Sequence, residues 1–224
     1  MTYETCLCGK KDAWPSIPDL YELLPLEQVM TSVINCRVPS NDQCHRLLKR
    51  YSVPDHIIQH SEMVCKVAVF LADKLNKQGE NLIMPEIEAA ALLHDITKME
   101  GIKTRQNHAK TGKELLAKLG FRRIGEIVAE HVKLQEGRSS LPLSEEEIIN
   151  YSDKRVMHTR VVPLTERFAD LWERYGAKGL DEKATKRIIA LEHETYALEN
   201  KIFSKLDFPP EKLLHVMGNY HNLT

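Results

Sequence analysis

The stretch Ala89-Ala90-Ala91-Leu92-Leu93-His94-Asp95-Ile96-Thr97-Lys98 decides how the rest of the chain is read. Alanine and leucine are strong helix formers, and small residues let neighbouring helices approach closely. The run therefore predicts an apolar helix that ends on a histidine and a carboxylate. Both are costly to bury unless something pairs them. Adjacent helical residues project roughly 100° apart, so His94 and Asp95 could grip one ion, or a pair of ions, from a single helix.

Outward from this helix the pattern stays helical. Ser40 or Asn41 caps a helix to about Tyr51, Pro54 opens one over Asp55–Asn76, and Pro85 opens the one bearing His94. Met99–Asn107 holds a glycine and basic residues without an apolar period, which reads as a loop. Helices follow at His108–Leu119, Arg122–Lys133 and Ser144–Val156, separated by Gly120 and a Gly137–Pro142 loop. Pro163 begins another, to about Tyr175. Asp181 caps the longest, to Leu206, with the stripe Ala184, Ile188, Leu191, Leu198 and Ile202 and one polar member, Thr195. Pro209 and Pro210 precede a last helix containing Leu213, Leu214 and Val216. No strand alternation stands out, so the expected class is all-α.

Residues 1–38 look different. Proline punctuates them at Pro15, Pro18 and Pro25, with a short helix at Leu26–Asn35, and they read as an appendage to a bundle over residues 39–224. Five cysteines, an odd number, are scattered over a chain that needs no staples and read as reduced thiols. Cys6 and Cys8 with Cys36 and Cys44 could form a four-thiolate zinc site, although their spacing is irregular. No apolar run reaches the ~20 residues of a membrane span, and Met1–Lys11 has no apolar signal core. A cytoplasmic protein without a membrane partner is expected. A net charge of -1 over 224 residues gives no global case for a nucleic-acid partner.

A polar residue that continues an apolar stripe faces inward. His60 is in register with Val64, Val67 and Leu71. His94 follows Ile87 and Ala91, and His108 precedes Leu115 and Leu119. His131 continues Ile124 and Ile127, and Asp153 sits between Ile149 and Val156. Each alone could be a hydrogen-bonded core residue, and Asp153 could pair with Lys154 or Arg155. Together, with Asp95, they would each need a buried partner, which one metal centre supplies. His45, His56, His158, His193, His215 and His221 read as surface residues.

His60, His94-Asp95 and Asp153, in that order on helices, resemble the H…HD…D signature of the HD-domain metal-dependent phosphohydrolases. His108 and His131 match the two further histidines of subgroups that hold two metals. The resemblance covers roughly Pro39 to Tyr175 and implies an HD-domain helical bundle, here with a C-terminal helical hairpin. It assigns His60, His94, Asp95 and Asp153 to one ion, and His108 and His131 to a second, with Asp95 bridging. Histidine and carboxylate ligands suit Fe, Mn, Co, Ni or Zn, one ion or two. The implied reaction is hydrolysis of a phosphoester or phosphoanhydride of a nucleotide or other small phosphorylated compound, using hydroxide drawn from metal-activated water. The Gly-Tyr-Pro motif of the cyclic-di-nucleotide phosphodiesterases is absent, which argues against that substrate.

Asp95 is then a catalytic residue as well as a ligand. Lys98, one turn beyond His94, is a second catalytic candidate, or a salt-bridge partner of Glu100 or of a ligand carboxylate. Lys103 and Arg105, just before His108, and Lys133, just past His131, could grip a substrate phosphate or simply be solvated charges. Two alternatives share these ligands: a di-iron oxygenase of the HD fold, and a non-catalytic nucleotide-sensing module. The Asp181–Leu206 stripe packs on its own bundle or serves a homodimer.

Overall fold

The computed structural model describes residues 37–135, 142–176 and 182–221. The appendage, the Leu26–Asn35 helix, Cys6, Cys8, Cys36 and the Asp181 cap lie outside the described residues. The architecture is all-α, as the pattern predicts. It comprises α1 (Asn41–Arg50), α2 (Asp55–Lys77), α3 (Met84–Leu93), α4 (Lys98–Thr104), α5 (His108–Lys118), α6 (Arg122–Ala129), α7 (Glu145–Lys154), α8 (Leu164–Leu171), α9 (Glu182–Phe203) and α10 (Leu213–His221). Among the described residues one element is not helical. A hairpin of β1 (Val156–Met157) and β2 (Arg160–Val161) follows α7, with Val156 opposite Val161. Strands of two residues are too short to show alternation.

α3 is the central rod. Ile87, Ala89, Ala90, Ala91, Leu92 and Leu93 are all buried, as expected of a helix that is apolar all round. It packs against α1, α2, α6 and α7. Alanines on the α2-facing side admit the stripe Val64, Val67, Ala68, Leu71 and Leu75, all fully buried. Capping boxes fix the starts of α1 and α7, through Ser40 with Gln43 and Ser144 with Glu147. Burial, helped by Glu88, pushes the thiols of Cys44 and Cys65 up to about 12, so both stay protonated and free.

The structure corrects several boundaries. The stretch read as a loop over Met99–Asn107 contains α4, whose only buried residue is Gly101, so no apolar period could announce it. It stops where Arg105 turns left-handed at φ 58°. α6 ends at Ala129, leaving His131 in a bend after the helix. α8 widens into a π-turn at Trp172–Gly176. In α9 the stripe is fully buried only toward its end, at Thr195, Leu198 and Ile202, whereas Ile188 and Leu191 are half-buried.

Three helices are tied together at their first turns. Arg123 at the start of α6 reaches Glu86 of α3 at 2.9 Å, Glu145 of α7 at 2.9 Å, and Glu146 of α7. Glu145 also accepts the main-chain N–H of Ile83 at 2.9 Å. One guanidinium thus bonds three buried carboxylates, and α3, α6 and α7 run side by side in one direction from this clamp. Arg123→Met removes the guanidinium that those three carboxylates share in the interior. The expected loss at pH 7 is about 3 kcal/mol, read as a lower urea midpoint. The loss shrinks as pH falls and Glu86, whose carboxyl burial already raises, takes up a proton.

Candidate metal centre

The far ends of those three helices converge. His94 caps α3, His131 follows α6 and Asp153 lies in the last turn of α7. Helix C-termini carry partial negative charge, which favours a cation between them. α2 adds His60 from its second turn, and α5 adds His108 from its first residue. The His94-Asp95 pair does not continue one helix: residues 94–97 form a turn between α3 and α4. Tighter bonds close it, from Ile96 N–H to the Leu93 carbonyl and from Lys98 N–H to the Asp95 carbonyl, at 3.1 and 3.0 Å.

Main-chain carbonyls orient three of the imidazoles. His94 Nδ1 lies 2.7 Å from the Ala91 carbonyl, His131 Nδ1 2.7 Å from that of Val128, and His60 Nδ1 2.9 Å from that of His158. A carbonyl can only accept, so each Nδ1 carries the proton and each Nε2 is turned inward as a donor atom. His158 sits at the hairpin turn with φ 57°, a left-handed conformation that histidine tolerates better than most residues. That turn aims its carbonyl at His60.

The inward atoms crowd together. His60 Nε2 is 3.0 Å from Asp153 Oδ1, which lies 3.6 Å from His94 Nε2. Asp95 Oδ2 is 3.4 Å from His94 Nε2, and Asp95 Oδ1 is 3.3 Å from His108 Nε2 and 3.7 Å from His131 Nε2. The two nitrogens of His108 and His131 stand 3.0 Å apart. His94 Nε2 and Asp95 Oδ1 are buried without a hydrogen-bond partner. Orphaned buried atoms of this kind demand an explanation. A divalent cation supplies one, and the donor set is compatible with it. Two groups have the necessary spacing, His60 with His94 and Asp95, and Asp95 with His108 and His131.

Charges inside the cluster are strongly coupled. Burial alone would raise the carboxyls of Asp95 and Asp153, yet the imidazoles beside them hold both well below the usual carboxylate range. Burial alone would lower His94, but Asp95 and Asp153 raise it to about 10. Burial and the His94 charge push His131 down to about 3.

Lys98 donates to Asp95 Oδ2 at 2.6 Å, which is the carboxylate partnership open to it from the sequence. Lys154 does not pair with Asp153. Its ammonium is buried and donates to the carbonyls of His131, Val132 and Asn150 at 3.0, 3.4 and 3.3 Å. Asn150 Nδ2 donates to the carbonyls of Glu130 and His131 at 2.8 and 3.0 Å. One face of α7 thereby pins the bend that carries His131, a role the sequence reading missed. Asn150 and Lys154 are four apart on the helix that ends at Asp153, and that spacing was the available signal. Gly101 lets α4 press on α5, because a Cβ there would stand 2.9 Å from His108 Cβ.

A cleft of about 250 Å³ opens beside the cluster, lined among others by His60, Lys98, Met99, Val156, Arg167 and Arg174. Lys103, Arg105 and Lys133 are exposed and do not line it. They lie at the end of α4, just past it, and in the bend after α6. His56, read as a surface residue, does line the cleft, one turn before His60.

Fold and cluster together define a class: helical-bundle proteins whose buried histidines and aspartates are fit for a divalent cation. More particularly, residues 57–207 match the HD domain family model, and the chain belongs to that family. It is similar to a tRNA (cytidine(56)-2'-O)-methyltransferase of Picrophilus torridus, 32% identical over 164 residues, a match covering 66% of this chain and 44% of that protein. The protein of the same name from Thermoplasma volcanium is 36% identical over 98 residues, 42% of this chain and 26% of its own. The chain thus spans less than half the length of either relative. No solved structure matches it. Among the described residues, no helix is long and apolar enough to cross a membrane.

A cation bound at the cluster must displace the proton that the two carboxylates hold on His94. Loading the protein with Mn²⁺ or Zn²⁺ at pH 7.5 is therefore expected to release protons, and affinity should fall as pH falls. Calorimetry in buffers of different ionisation enthalpy measures the release. Proton-neutral binding would contradict this account, and His94→Ala should diminish the release.

Proposed function

We propose that the chain is a metal-dependent phosphohydrolase acting on a phosphoester or phosphoanhydride of a nucleotide or other small phosphorylated compound. The observation that carries this reading is the sharing of Asp95 between two ligand groups. His60, His94, Asp95 and Asp153 would hold one ion, and His108 and His131 a second, with Asp95 between them. Divalent ions held there would polarise a phosphoryl oxygen and lower the pKa of bound water from 15.7 towards ~7.

The remaining work falls to the chain. Main-chain carbonyls keep the imidazoles in the tautomer that presents Nε2. Lys98 holds Asp95 in place and also faces the cleft. Its ammonium opposes charge that develops on phosphoryl oxygens as a leaving group departs. At about 250 Å³ the cleft is smaller than the roughly 300–1,000 Å³ usual for pockets of drug-sized ligands. It suits one phosphorylated unit of about nucleotide size.

The relatives' names bring RNA into the substrate question, which the balanced net charge had argued against. A match over 66% of this chain necessarily takes in part of residues 57–207. The likeness therefore includes part of the helical bundle. We infer that methyl transfer belongs to the part of those relatives that this chain does not span, and that a phosphorylated RNA end is a second candidate substrate.

Protein loaded with Mn²⁺ or Fe²⁺ should release phosphate from at least one member of a panel. The panel comprises nucleoside mono-, di- and triphosphates, dinucleoside polyphosphates and phosphorylated RNA oligonucleotides. His94→Ala and Asp95→Ala should each lower the rate at least about 100-fold, and His108→Ala should remove one of two bound ions by elemental analysis. Silence across the panel would defeat the reading. Silence with oxygen uptake by the Fe-loaded protein would favour the oxygenase.

A further inference from the structure

Two arginines beyond the last candidate ligand line the cleft that His60 and Lys98 also line: Arg167 of α8 and Arg174 of the π-turn. They are seven residues apart, close to two helical turns, and so project to the same side. Between them stands Asp170. Arg167 NH1 donates to Asp170 Oδ2 at a long 3.3 Å, and Arg174 also bonds that oxygen. One carboxylate thus bonds both guanidiniums and holds them side by side. Arg167 Nε is buried and has no hydrogen-bond partner, an unmet donor on the wall of a cleft. The same cleft is also lined by the apolar side chains of Ile57, Met99, Val156 and Met157.

We propose that Arg167 and Arg174 form the arm that grips the substrate's phosphate, and that the group they select is a terminal phosphomonoester. This rests on the phosphohydrolase reading and deepens it. A guanidinium offers five donors in a planar fork that matches phosphoryl oxygens, and two such forks suit a doubly charged group. An internal phosphodiester carries one negative charge and is flanked on both sides by sugar. A terminal group brings only one such flank into a cleft of about 250 Å³. The apolar lining receives the uncharged remainder of the molecule. A free mononucleotide and a phosphorylated chain end share this chemistry.

Calorimetric titration of the Mn²⁺-loaded protein with inorganic phosphate tests the arm without requiring turnover. Arg167→Met and Arg174→Met each keep the stem and remove the guanidinium. Each should weaken phosphate binding roughly tenfold or more, with metal content and far-UV circular dichroism unchanged. Arg167→Lys keeps the charge without the fork and should recover only part of the affinity. If Arg167→Met fails to fold, the partly exposed Arg174 carries the test. p-Nitrophenyl phosphate and its bis-ester provide a second readout, because the variants should lose the monoester preference. A 5′-mononucleotide and a 5′-phosphorylated oligonucleotide, compared as competitors, distinguish the two sources.

Phosphate affinity within twofold of the unsubstituted protein in both Met variants would overturn the proposal, as would absence of phosphate binding to the loaded protein. Arginine-dependent phosphate binding with no hydrolysis of any panel member would defeat the phosphohydrolase reading and leave the arm standing. Hydrolysis indifferent to both arginines would do the reverse.

Discussion

Three imidazoles, each with its Nδ1–H held by a main-chain carbonyl, set the conditions for everything else in this molecule. The carbonyls of Ala91, Val128 and His158 fix which nitrogen carries the proton and which way each ring faces. The inward Nε2 atoms then have few partners besides one another and the carboxylates of Asp95 and Asp153. In a buried site such crowding is unfavourable unless a positive charge lies among the lone pairs. Without a metal ion, protonated His94 supplies that charge. A divalent cation supplies more of it and satisfies more atoms.

The bundle holds this arrangement from both ends. At one end Arg123 gathers Glu86, Glu145 and Glu146 and sets α3, α6 and α7 side by side. At the other, the same three helices deliver His94, His131 and Asp153. Asn150 and Lys154 then fasten the bend after α6 to α7, so His131 is positioned by a helix other than its own. Side chains near the cluster thus divide between those that face the cleft and those that hold the backbone behind it. Lys98 belongs to both groups, since it bonds Asp95 and lines the opening.

Much of the centre could be read from periodicity, because an ionisable residue that continues an apolar stripe has nowhere to point but inward. That reasoning singled out His60, His94, His108, His131 and Asp153, adjacency to His94 added Asp95, and the structure brings all six together. It was less apt where no stripe existed. Lys103, Arg105 and Lys133 were chosen for closeness in sequence to His108 and His131, and they face solvent instead. Arg167 and Arg174 were passed over because α8 follows the last candidate ligand and its arginines resemble ordinary surface charges. Only their return across the cleft distinguishes them. α4 escaped notice for a related reason, since a seven-residue helix with one buried glycine has no periodic signal.

What the sequence determined by itself is the helical class, the central position of α3, and the identity of the inward-facing histidines and aspartates. These follow from the 3.6-residue repeat and from the cost of burying polar groups, both local properties of the chain. Tertiary structure alone decided that the six residues share one site, that His94 and Asp95 stand in a turn between helices, and which cations face the cleft. Those outcomes depend on where separate helices end relative to one another, and contacts between residues far apart in the chain set that.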